Sequence, residues 1–137
     1  MNKWKCCLIC LLGALQLTAF AAPKKEKVKI EEPKRVYMFG VATNFNDSVI
    51  YVTDVQYLDS VIIKPDGSIQ DYASYSLQFK VYLEGVLGET NQTCAVIYSD
   101  KKKKLDKRYI KARKRYRDDK GKMIIPIGTN LFQFHKR

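Results

Sequence analysis

The sequence predicts an α+β domain of order β-β-α-β-α-β, an antiparallel or mixed sheet with two helices packed on one face. Three observations lead there. Residues 36–43 (VYMFGVAT) and 49–58 (VIYVTDVQYL) are runs of β-branched and aromatic residues around the turn-forming NFNDS of 44–48, which reads as an antiparallel hairpin. Leu105, Tyr109, Ala112 and Tyr116 recur at helical spacing in a segment otherwise dominated by Lys and Arg. Strands and helices are mixed without the strict alternation that builds a parallel sheet.

Residues 1–22 come first and carry no fold signal. Lys3 and Lys5 precede an uncharged run over 6–15, and Ala19-Phe20-Ala21 has the small-x-small pattern of a signal-peptidase site. This order of parts is that of a cleavable secretory signal, with a mature N-terminus expected at Ala22 or Pro23. A retained anchor is the alternative, but a bilayer span asks for about 20 apolar residues, and this run is nearer half that. Cys10 raises a lipoprotein reading, yet it lies early, and Cys7 stands where such a site calls for Leu. With the signal gone, only Cys94 remains of four cysteines, so no internal disulfide is expected and the core must stabilise the domain unaided. The expected mature chain is long enough for one core, not two.

Residues 23–35 are dense in charge and bounded by Pro23 and Pro33, so they read as a flexible leader, with a single domain over 36–137. After the hairpin, 61–64 extends or follows the second strand, and Pro65-Asp66-Gly67 is a turn. Residues 71–87 carry two periods. Tyr75, Leu77, Phe79, Val81 and Leu83 alternate as in a strand; Tyr72, Tyr75, Phe79, Tyr82, Leu83 and Val86 fall at helical offsets. Helix is favoured, because alternation fails at Tyr82 while Asp71 can cap the start and Gly88 the end. Residues 92–98 (QTCAVIY) read as a short central strand, 100–119 as a helix capped by Ser99 or Asp100 and followed by Gly121, and 123–134 as one or two strands that Pro126 and Gly128 force to an edge or a break.

Candidate chemistry is sparse. Cys94 lies mid-strand with no local cation to lower its pKa, so a buried inert thiol is expected. His135 is the only histidine, near the C-terminus, where a frayed side chain is expected. One His and one distant Cys do not make a zinc site, and histidine-dependent triads would all have to use His135. No cofactor, metal or catalytic residue is therefore assigned. Asp47, Asp54 and Asp59 lie near the hairpin; paired carboxylates could act on glycosidic bonds, though strand alternation can leave Asp54 on the wet face. Asn91-Gln92-Thr93 matches the N-glycosylation pattern, which matters only in a eukaryotic secretory route.

The charge layout is the strongest signal. The whole chain carries net +11, and beyond residue 22 there are 23 basic residues against 14 acidic ones. Residues 101–117 hold eleven basic side chains against Asp106 alone, whereas 36–100 hold two basic and eight acidic residues. Such polarity attracts anions. Lys104, Lys107, Arg108, Lys111, Lys114 and Arg115 are the candidate anion-binding residues. Export argues against nucleic acid as a partner; an anionic glycan, a lipid headgroup or an acidic protein surface fits better. The competing reading is a solvated helix that docks on its own acidic domain.

The segments VYMFGVATNFNDSVIYVTD and YLEGVLGETNQTCAVIYSDKKKKLDKRY resemble a group of small exported proteins of Bacteroidetes-type Gram-negative anaerobes. That resemblance implies a periplasmic or outer-envelope setting and brings no activity or functional residues. The architecture is also similar to sporulation-related repeats, which bind peptidoglycan strands, but the element order differs and nothing is carried over. The reading that follows is an exported binding module using its basic helix. Its alternatives are an envelope glycan-acting enzyme using the hairpin carboxylates, or a structural component of an envelope assembly.

Overall fold

The computed structural model describes residues 31–137; the expected signal peptide with Cys6, Cys7 and Cys10, and the expected leader up to residue 30, lie outside the described residues. The first strand, β1 (Pro33–Thr43), organises the sheet. One edge of β1 takes β2 (Val49–Thr53) and then β3 (Gln56–Ile62), and the other edge takes β4 (Thr93–Ser99), all antiparallel. β5 (Met123–Ile127) joins β2 in parallel at the far side. The sheet is thus mixed, and with α1 (Tyr72–Val86) and α2 (Lys102–Asp118) it makes the α+β class that the patterning implies. Among the described residues no helix is long and apolar enough to cross a membrane.

The two helices do not share a face, contrary to the expected packing. Val36, Met38 and Ala42 of β1 pack with Tyr75, Phe79 and Leu83 of α1, while Phe39 and Val41 pack with Leu105 of α2. Successive strand residues point to opposite faces, and β1 is apolar on both, so each face buries its own helix. Residues 36–43 are one unbroken apolar run for this reason. β1 also begins at Pro33, so its first three residues come from the segment expected to be leader.

The run 49–58 is not one strand. Val41 pairs Val52, but Met38 pairs Gln56, so the second strand holds one residue more than β1 between these pairs. A bulge absorbs it, with the Thr53 hydroxyl accepting from Gly40 N–H at 2.8 Å. Asp54 N–H turns instead to the Ile127 carbonyl at 3.0 Å. A second register shift falls opposite Lys34 and Val36, where Ser60 adopts φ 59°.

α1 settles the two-period segment in favour of helix, burying Tyr75, Phe79 and Leu83. Asp71 precedes it, but in a left-handed conformation and without a side-chain cap; Gly88 ends it at φ 67°. The expected Ser99 or Asp100 cap of α2 is displaced as well. Lys101 occupies the N-cap position, and the Ser99 hydroxyl accepts from Lys101 N–H at 3.1 Å, one step before the helix.

β5 stops at Ile127, and residues 128–137 form no second strand. A turn at Gly128 brings Phe132 and Phe134 beneath α1, where Phe132 stacks at 5.3 Å on Phe79 and 4.9 Å from Phe134. Two glutamines replace the ladder. Gln56, buried, donates to the Phe132 carbonyl at 3.0 Å and accepts from Phe134 N–H at 2.9 Å. Gln78 makes the same pair of bonds with His135, both at 2.8 Å, so the backbone of the expected frayed histidine is pinned.

Candidate functional site

The basic helix docks through the stripe read from the sequence. Leu105 is fully buried, Tyr109, Ala112 and Tyr116 pack beside it, and the Tyr109 ring meets Phe39 edge-on at 5.1 Å. Burying that stripe fixes where every cation of α2 points, because each residue advances about 100° around the helix axis.

The six candidate cations separate into two sets. Lys104, Arg108, Lys111 and Arg115, spaced by four, three and four, form one line on the flank of α2 next to β4. Lys107 and Lys114 lie on the side opposite the buried stripe and point straight to solvent. Lys104 and Arg108 border a depression of about 570 Å³ together with Lys34, Tyr98, Ser99 and Asp100. Arg108, Lys111 and Arg115 border a second one of about 290 Å³ over Ile97, Ala112 and Tyr116. Arg108 and Ile97 border both, so the two adjoin along this flank and together make the α2 trough. Lys34 was missed in the sequence because it fell in the expected leader; its place just before an apolar strand run was the signal available.

None of the six cations is held in an ion pair among the described residues. The ion pairs of α2 lie elsewhere: Lys102 with Asp106 at 2.8 Å and Arg117 with Asp118 at 3.9 Å. Arg113 lies over the Tyr109 ring, 5.5 Å from its centroid. Arg108 has a polar anchor in the trough, donating from Nη1 to the Tyr98 carbonyl at 3.3 Å. Among the described residues the acidic part of the domain thus forms no ion pair with the six candidate cations.

The hairpin carboxylates do not converge. Asp47 caps its own turn, accepting from Val49 N–H at 3.2 Å. Asp59 is exposed and pairs with Arg35 at 2.8 Å. Asp54 is half-buried at the bulge, its carboxylate against Gly128, rather than on an open wet face. Burial pushes the half-buried Cys94 thiol up from 9.0 to about 11, keeping it protonated and unreactive near neutrality. Among the described residues no group of three His, Cys, Asp or Glu gathers as a metal-holding cluster.

Compared with protein-family models, curated proteins and solved structures, the chain finds no match.

Proposed function

We propose that this is an exported binding module that holds a linear anionic component of the cell envelope, an acidic glycan, along the α2 trough. One observation carries the reading: Lys104, Arg108, Lys111 and Arg115 stand in line, without ion-pair partners among the described residues, along two adjoining depressions. At 1.5 Å rise per residue the line runs about 16 Å, long enough for several charges of an extended polymer. A trough suits a chain better than it suits a flat bilayer, which would meet the outward Lys107 and Lys114 first. Export rests on the order of parts in residues 1–22, and the envelope setting on the resemblance stated above.

Polygalacturonate is a suitable probe, with acidic lipid vesicles and duplex DNA as comparisons. Binding should weaken steeply with salt, since exposed charges are screened over about 10 Å at 0.1 M ionic strength. Lys111→Glu with Arg115→Glu should abolish polygalacturonate binding. Lys107→Glu with Lys114→Glu changes net charge equally and should leave most of it. Equal losses from the two pairs, or equal affinity for all three probes, would reduce the effect to net charge and remove the trough as a site.

A further inference from the structure

The opposite flank of β4 holds a second groove, of about 480 Å³, between the strand and α1. Ala73, Leu77 and Lys80 form its helical wall, and Gln92 and Cys94 its strand side. Gln92 is only 3% exposed, and neither the oxygen nor the nitrogen of its amide has a hydrogen-bond partner among the described residues. A buried amide left unpaired is expensive, and most buried polar groups in folded proteins are paired. Because the Gln92 amide has no bond to lose, turning it into the groove breaks nothing and offers a ligand one donor and one acceptor.

The main chain two residues on offers the same pair. β4, expected to be central, has β1 as its only strand partner among the described residues, and Val96 turns its N–H and C=O away from β1 to the Tyr72 hydroxyl, both at 3.1 Å. Strand alternation then puts the N–H and C=O of Cys94 on that same open edge. Gln92 and Cys94 are alternate residues, about 7 Å apart along an extended backbone, and both border the groove, so the Gln92 amide, once turned outward, offers a second donor–acceptor pair near that of Cys94. Tyr72 closes the edge beyond them at Val96. Leu77, half exposed, supplies an apolar wall, and the Lys80 ammonium, loosely paired with Glu84 at 3.9 Å, supplies a cation.

We infer that this groove binds a short extended peptide by strand addition at Cys94, with the Gln92 amide pairing a second peptide group and Lys80 receiving the peptide's C-terminal carboxylate. Main-chain bonds at a sheet edge with adjoining side-chain pockets are a recurrent way of holding peptides. The site is independent of the α2 trough, and either can fail without the other.

The test is a titration of nitrogen-labelled protein with N-acetyl-trialanine, followed by nuclear magnetic resonance. The Gln92 side-chain NH₂ and the Cys94 N–H should shift together, and the C-terminally amidated peptide should bind about tenfold more weakly, having lost a charge-assisted contact. Lys80→Gln should erase that difference. Gln92→Met removes the unpaired amide at nearly constant volume, so the variant should fold at least as stably while its affinity falls about tenfold. Unmoved Gln92 and Cys94 resonances at millimolar peptide would overturn the proposal, as would parental affinity in Gln92→Met. Equal affinity for the acid and the amide would overturn the carboxylate assignment. A long-lived internal water on the Gln92 NH₂ that persists with peptide present would also overturn it, because the amide would then already be satisfied.

Discussion

The Tyr72 hydroxyl holds both main-chain groups of Val96, donating to its carbonyl and accepting from its N–H, each at 3.1 Å. Tyr72 begins α1 and Val96 sits mid-strand in β4, so one side chain ties the helix to the sheet edge and closes that edge where a neighbouring chain could pair. Arg108 covers the Tyr98 carbonyl from the other side at 3.3 Å. Unpaired edges invite association, and covering them with side chains is one way to prevent it.

Tyr72→Phe keeps the ring and removes the hydroxyl. The variant should lose about 1–2 kcal/mol in denaturant unfolding, the cost of two main-chain groups without their partner at a partly solvated site. It should also self-associate more readily than the parent in sedimentation velocity. Unchanged stability together with an unchanged monomer fraction would show that water substitutes freely for the hydroxyl.

Gly40 lies in β1 directly beneath the aromatic cluster. A Cβ there would stand 2.8 Å from Phe79 Cδ1 and 3.2 Å from Phe134 Cζ, and Phe79 is fully buried. Gly40→Ala should therefore destabilise by about 1–3 kcal/mol through overpacking, although alanine normally suits a strand better than glycine. Urea unfolding measures it. A gain in stability would mean that the rings under α1 are loosely packed.

Leu105 is the fully buried member of the α2 stripe. Leu105→Ala should cost about 2–5 kcal/mol, and a loss below about half a kcal/mol would show that α2 docks by charge rather than by its apolar face. The variant should also bind polygalacturonate less tightly if a firmly docked helix is what keeps the four trough cations in line.

Local patterns carried much of the architecture. The spacing of Leu105, Tyr109, Ala112 and Tyr116 identified both α2 and its buried side, since a helix must turn its few apolar residues toward the core. The longer helical stripe of 71–87 outweighed its strand alternation, and Tyr75, Phe79 and Leu83 are its buried members. The candidate cations were legible as a charge run. Their division into a line facing the trough and a pair facing solvent follows from the same periodicity once the buried side is known.

The class of the domain, its helices and the polarity of its charge are legible in the chain, because these depend on periodicity and composition within a segment. Tertiary structure alone decided the rest. That the helices take opposite faces depends on β1 being buried on both, and a continuous apolar run such as 36–43 does not say which neighbour covers which side. The bulge at Thr53–Asp54–Val55, the Gln56 and Gln78 clasps on the C-terminal tail, and the entry of Lys34 into the trough all join residues distant in the chain. Such contacts form only when the sheet has assembled and brought their backbone groups within hydrogen-bond reach, and no local spacing encodes them.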